Sequence, residues 1–139
     1  TAHGVQSGIA TDVGAGTSYS MLQTLKEGYK ILQLQGQSMH PLQAFDWATR
    51  GNANVLGLED KIGTLASGTE ADVVILNSSA TSAMALRMER AESLAEELFV
   101  LQIMGDDRAV EEVYVSGVAQ KASQDRPAGV VRFSGGIAT

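Results

Sequence analysis

Apolar side chains at helical spacing dominate the first quarter of the chain. Those between residues 21 and 32 share one face of an α-helix. They are Met21, Leu22, Leu25, Tyr29 and Leu32. Thr17 and Ser18 are both good N-caps, and Gly36 can end the helix because glycine accepts the left-handed conformation that follows a last turn. The pattern therefore predicts a helix over residues 18–35.

The same kind of pattern predicts two further helices. One begins at Ser38, with Pro41 in its first turn, where the missing N–H costs little, and it ends where Gly51 interrupts it. A short helical turn follows that glycine. The other helix is predicted over residues 93–104, closed by Gly105. Its expected apolar face carries Leu94, Leu98, Leu101 and Met104.

Three short runs favour strands instead of helices. The first run covers residues 5–11 and stops at Asp12. The second covers residues 71–76 and is rich in β-branched side chains, and the third covers residues 111–118. Residues 78–89 are ambiguous. The resulting order of strand, two helices, strand, long helix and strand predicts an α/β fold.

Composition narrows the class of protein. The chain has 139 residues, a net charge of −6 and no cysteine. The negative charge opposes contact with phosphates, so we expect no nucleic-acid partner. The lack of cysteine excludes disulfides and thiolate metal sites within the chain. Since no apolar run approaches about 18 residues, we expect no contact with a membrane and a cytoplasmic location.

The run at residues 11–18 holds the candidate chemistry. Asp12 follows the first predicted strand, and the turn that contains Gly14 and Gly16 leads into a helix. An aspartate before such a turn is ordinary turn chemistry, whereas a carboxylate at the end of a barrel strand is where (β/α)8 enzymes hold their active sites. A phosphate cradle is disfavoured because Tyr19 stands where the dinucleotide fingerprint needs its third glycine.

Several motifs together indicate a family. The run Thr-Asp-Val-Gly-Ala-Gly-Thr-Ser at 11–18 and the run Ala-Thr-Arg-Gly at 48–51 resemble the closing portion of guanine deaminases. The Met-Gly-Asp-Asp-Arg run at 104–108 also resembles guanine deaminases. The segment Gly-Thr-Glu-Ala-Asp at 68–72 resembles a signature of the wider amidohydrolase superfamily. The resemblance covers residues 5 to 120.

The resemblance implies a fold, a reaction and a metal. The fold is the last βα unit and the outer helices of a metal-dependent (β/α)8 barrel over residues 1–60. Strands of a small β-sandwich with an intervening helix follow over residues 61–122, and a tail over residues 123–139. The reaction is the conversion of guanine and water to xanthine and ammonia. The cofactor is Zn²⁺, which that family holds with four histidines and one aspartate. Asp12 matches that aspartate, and it is the only residue of this chain that matches one of the five ligands.

The other ligands of that family have no counterpart in this sequence. The two histidines, His3 and His40, align with none of them, and a catalytic zinc takes about three protein ligands. We therefore expect the chain alone to bind no catalytic zinc and to be inactive. An (β/α)8 barrel takes about 250 residues, so we also expect the helices to need a homo-oligomer or a missing N-terminal portion as partner.

Three other features favour structural roles. Phe45 and Trp47 fit the packing face of a helix better than a pair that stacks on a purine. Asp106 to Arg108 is interpreted as an ion-paired corner after a helix. The acidic residues between 89 and 97 fit a solvated helix face. Two alternatives stay open for the whole chain: a purely structural or oligomerising piece, and a segment of another purine- or triazine-type amidohydrolase.

Overall fold

The computed structural model describes residue 4 and residues 6–121, which form five α-helices and three strands. The helices are α1 (Met21–Leu34), α2 (Pro41–Asp46), α3 (Asn52–Leu56), α4 (Ser82–Met88) and α5 (Leu94–Met104). The strands are β1 (Val73–Leu76), β2 (Val110–Val115) and β3 (Val118–Ala119). The predicted tail and His3 lie outside the described residues. Within them, no helix has the length and apolar character needed to cross a membrane.

Helix α1 confirms the prediction but begins at Met21. Ser18 is not the N-cap, because its hydroxyl accepts from the main-chain N–H of Ser20 at 3.0 Å. Ser20 caps the helix instead. At the other end Gly36 has a φ of 71° and its N–H donates to the Gln33 carbonyl at 3.0 Å. The predicted glycine stop is therefore confirmed.

The second predicted helix continues beyond its expected end. Pro41 occupies the first helical position, and the His40 side chain caps it by accepting from the Leu42 N–H at 3.3 Å. Gly51 does not interrupt the helix, so that prediction was wrong. The helix passes through one π-helical turn, Trp47–Gly51, into α3. It ends at Gly57, whose φ is 66°.

The strands form one antiparallel sheet in the order β1-β2-β3. Val73 lies opposite Tyr114 and Val74 opposite Val113. The single strand predicted over residues 111–118 is in fact β2 and β3 joined by a tight turn. Ser116 and Gly117 both have positive φ, 50° and 77°, as the two-residue turn of a hairpin requires.

The strand predicted over residues 5–11 is not present in the described part of that run, residues 6–11. A strand exists only where a neighbouring strand pairs with its main-chain groups, and the three strands described belong to a sheet formed further along the chain. The Asn52 side chain supplies the pairing at Ile9 instead. The prediction of a strand over residues 5–11 was therefore wrong for the described residues 6–11.

Helix α5 lies at the centre of the core. One buried cluster contains Leu22, Met84, Val100, Leu101 and Ala109, and a second contains Leu25, Met39 and Ala44. The predicted apolar face of α5 was wrong at Leu94, which is 62% exposed, whereas Gln102 is fully buried. The Gln102 side-chain N–H donates to the Leu25 carbonyl at 3.4 Å, which ties α5 to α1. The ambiguous stretch before α5 forms α4, with Met84 buried.

Two glycines provide a test of this packing. A methyl group on Gly105 would collide with the Leu101 carbonyl and lie 2.9 Å from a methyl carbon of Leu22. Gly28 lies inside α1, and a methyl group there would meet only the flexible end of Met39 at 3.4 Å. The same substitution should therefore have opposite effects at the two positions.

We expect Gly105→Ala to lower the free energy of unfolding by about 1–3 kcal/mol, because the added methyl group collides with the Leu101 carbonyl and overpacks the contact with Leu22. Gly28→Ala should raise it by about 0.5–1 kcal/mol, since alanine is the better helix former. Urea denaturation followed by circular dichroism measures both values. Equal effects of the two substitutions would contradict this account of the α1–α5 contact.

Candidate functional site

Asp12 lies in a tight turn that closes on its own carbonyl group. The main-chain N–H groups of Ala15 and Gly16 donate to the Asp12 carbonyl at 3.0 and 2.5 Å. Any side chain at position 16 would collide with the Thr11 carbonyl, so the turn requires glycine there. The turn uses the main-chain oxygen of Asp12, and the residue itself is exposed to solvent.

Asp12 has a left-handed backbone conformation, with a φ of 51°. That conformation costs a residue with a side chain about 1–2 kcal/mol, although aspartate tolerates it better than most. Local strain of this kind concentrates at functional sites. The structure therefore leaves the sequence-based hypothesis about Asp12 standing, in a turn held by glycines rather than at the end of a sheet strand.

The segment before Asp12 is anchored by a side chain. The Asn52 side-chain N–H donates to the Ile9 carbonyl at 2.7 Å, and its side-chain oxygen accepts from the Ile9 N–H at 2.9 Å. Asn52 is 43 positions away in the sequence, and no periodicity or motif singled it out. It is the residue near the candidate site that reasoning from the sequence missed.

The described residues do not assemble a metal site around Asp12. Within residue 4 and residues 6–121, no three His, Asp or Glu side chains lie close enough together to bind a metal ion. His40 is used as the cap of α2. The donor set that the structure describes therefore does not fit a catalytic zinc, which needs about three protein ligands.

The predicted ion-paired corner is confirmed. The Arg108 guanidinium binds the Asp106 carboxylate with two nitrogens, at 3.0 and 2.6 Å. The Arg108 main-chain N–H also donates to the same carboxylate, at 3.0 Å. These bonds, the side-chain ones first, lower the pKa of Asp106 from 3.8 to about 2.

The corner faces the segment that follows Asp12. The two form an open cleft of about 390 Å³. Its lining residues are Thr17, Ser18, Ser20, Gln23, Glu27, Asp106 and Asp107. The sequence motifs around 12 and 106 were recognised separately, and the fold brings their surroundings together because α5 packs along α1.

Phe45 and Trp47 have the packing role that was predicted. Phe45 contacts both buried clusters, and Trp47 packs against the second. Trp47 also borders a second open cleft of about 410 Å³ beside residues 4, 6 and 7. Burial against Leu25 and its neighbours accounts for both aromatic side chains.

Comparison with known proteins identifies the class of this protein. The sequence pattern of the Amidohydrolase family matches residues 1–119. This chain therefore belongs to the amidohydrolase family.

Within the family, the similarity is to guanine deaminases. The chain is 48% identical over 113 residues to the guanine deaminase of Escherichia coli, which covers 81% of this chain and 26% of that protein. The solved structure of that E. coli enzyme superposes with a TM-score of 0.81 at 46% identity, over 84% of this chain and 27% of that one. The guanine deaminase structure from Bradyrhizobium japonicum gives a TM-score of 0.73 at 27% identity, over 83% and 31% of the two chains. The sequence-based resemblance is confirmed. The chain spans about a quarter of the length of the curated relatives it matches.

The ion-paired corner predicts an acid-resistant carboxylate. Because the pKa of Asp106 is depressed, the pairing is fully present above the ordinary value of 3.8 and is lost as the pH falls through about 2. We expect the Asp106 carboxyl carbon to titrate near pH 2 in an NMR titration. Arg108→Gln should return the midpoint towards 3.8, whereas Arg50→Gln, which removes a remote cation, should leave it unchanged. A midpoint unaffected by Arg108→Gln would contradict the assigned cause.

Proposed function

We propose that this chain is a segment of a zinc-dependent guanine deaminase, which converts guanine and water to xanthine and ammonia. The observation that carries the proposal is the 48% identity to the E. coli guanine deaminase, together with a TM-score of 0.81 to its solved structure. Guanine is the proposed substrate of the whole enzyme, and the cytoplasm is its proposed location.

The proposed role of this chain in the chemistry belongs to Asp12. In the net reaction a water oxygen becomes bonded to the purine carbon that carries the amino group, and that group leaves as ammonia. We propose that Asp12 serves as one zinc ligand and as the acceptor of the water proton. The strained, solvent-exposed turn around Asp12 supports a functional role. The remaining ligands would come from polypeptide other than the residues described.

The proposed arrangement assigns residues 1–60 to the end of the (β/α)8 barrel and residues 61–122 to strands of the β-sandwich with an intervening helix. All three strands described lie after residue 72, and helices α4 and α5 lie between β1 and β2, which supports strands with intervening helical structure in the second part. Residues 123–139 are proposed to form a tail.

A structural role is the second candidate for the isolated chain. Large apolar side chains are exposed at Tyr19 (83%), Leu34 (88%) and Leu65 (83%). Such surface favours association with further copies or with another polypeptide. An associating piece of this kind would need no chemistry of its own.

A chimeric enzyme tests the proposed role of Asp12. The part of this chain that superposes on E. coli guanine deaminase, 84% of its length, would replace the matching segment of that enzyme, and we expect the chimera to turn over guanine. Asp12→Asn keeps the backbone conformation accessible but removes the charge, so kcat should fall by about 10²–10⁴. Asp60→Asn, at an exposed position, is the matched control. A folded, active chimera that keeps its kcat after Asp12→Asn would refute the role.

The 139-residue chain by itself provides a separate test. We expect purified chain to contain no stoichiometric zinc, to leave guanine unchanged and to elute as an oligomer in size-exclusion chromatography with light scattering. Stoichiometric zinc with guanine turnover would overturn the expected inactivity. A monomer with a cooperative melt would remove the case for a structural, associating role.

A further inference from the structure

The contact between Asn52 and Ile9 reproduces the pairing of two strands with one side chain. A carboxamide offers an N–H donor and a carbonyl acceptor in one plane, as a peptide group does. Its two bonds to Ile9, at 2.7 and 2.9 Å, satisfy the carbonyl and the N–H that a neighbouring strand would otherwise bind. Replacing Asn52 would leave both main-chain groups of Ile9 without this partner.

Gly8 provides an independent observation of the same contact. A side chain at position 8 would collide with the Asn52 side-chain oxygen. The φ of Gly8 is not in the left-handed region, so space rather than backbone conformation explains the glycine. The sequence Gly-Ile at 8–9 is therefore matched to the approach of Asn52.

The helix that carries Asn52 departs from regular α-helical geometry directly before that residue. The π-helical turn Trp47–Gly51 comes directly before Asn52, and such turns occur frequently at functional sites. The Asn52 side-chain N–H also lies 3.3 Å from the Ala48 carbonyl, within the same helix. On the other side, Gly63 packs so closely that a methyl group there would lie 2.8 Å from the Ala53 side chain. Asn52 therefore projects from a firmly held part of the helix.

We infer that Asn52 is a positioning residue for Asp12. Asp12 lies three residues after Ile9, so a short stretch of chain separates it from the bonds to Asn52. On its other side the turn closed by the Ala15 and Gly16 N–H groups holds its carbonyl. The carboxylate is thus carried on a segment tied down at both ends. The catalytic consequence rests on the proposed function, whereas the anchoring itself does not.

The anchoring is tested by NMR on the 139-residue chain. In Asn52→Ala the Ile9 amide should exchange with solvent at least about tenfold faster, because its acceptor is lost, while Val100 in the core keeps its exchange rate. The strong amide-to-Hα nuclear Overhauser effect within Asp12, which a positive φ produces, should weaken. Asn54→Ala, at an exposed position of the same helix, is the matched control and should change neither signal.

Gly8→Ala provides a second variant if Asn52→Ala fails to fold. The added methyl group pushes the Asn52 side chain away from Ile9 without replacing Asn52. Gly8→Ala should therefore speed the exchange of the Ile9 amide and weaken the Asp12 signal, as Asn52→Ala does. Unchanged Ile9 exchange in a folded Asn52→Ala or Gly8→Ala variant would overturn the anchoring.

The catalytic consequence is tested in the guanine deaminase chimera. Asn52→Ala should lower kcat by about 10–100-fold with KM changed by no more than about twofold, as expected when a reactive group is displaced without loss of substrate contacts. An unchanged kcat in an active chimera would refute the positioning role. If the unsubstituted chimera folds without deaminating guanine, the proposed function fails instead, and the NMR result still decides the anchoring.

Discussion

The burial of helix α5 is the interaction on which the rest of the structure depends. Its residues Val100, Leu101 and Gln102 are all buried, and α1, α2 and α4 each pack against it. A helix that is apolar on most of its sides is stable only when other elements surround it. The Gln102 bond to the Leu25 carbonyl and the close approach of Gly105 to Leu22 then set how α1 lies along α5.

The candidate site is positioned by the helices rather than by the sheet. Helix α1 carries the turn that contains Asp12 at its N-terminal side, and the helix from Pro41 to Leu56 presents Asn52 to the segment before that turn. The corner at Asp106 and Arg108 follows the end of α5 and borders the same turn region. The bonds from Asn52 to Ile9 and the turn closed on the Asp12 carbonyl thus hold the main chain on either side of the exposed Asp12 side chain. Among the described residues, Asp12 belongs to no group of three His, Asp or Glu side chains that could bind a metal ion.

Elements with strong local signals were predictable. Helices α1 and α5 have serine N-caps and apolar side chains at helical spacing, and Gly36 and Gly105 follow their ends where expected. Strand β1 is a run rich in β-branched side chains. The predictions failed where a local signal was ambiguous or was overridden. Gly51 reads as a helix breaker, yet the wider π-helical turn accommodates it. The turn at Ser116 was missed because a residue with a side chain seldom adopts positive φ.

The sequence by itself determined the family resemblance, the principal helices, the identity of Asp12 as the candidate residue and the ion-paired corner. These depend on residues close together in the chain, where capping, spacing and charge act over a few positions. Only the tertiary structure decided that residues 6–11 form no strand and that Asn52 replaces the missing pairing at Ile9. The physical reason is distance along the chain: a carboxamide 43 positions away leaves no local pattern, and its bonds exist only after the helices have packed.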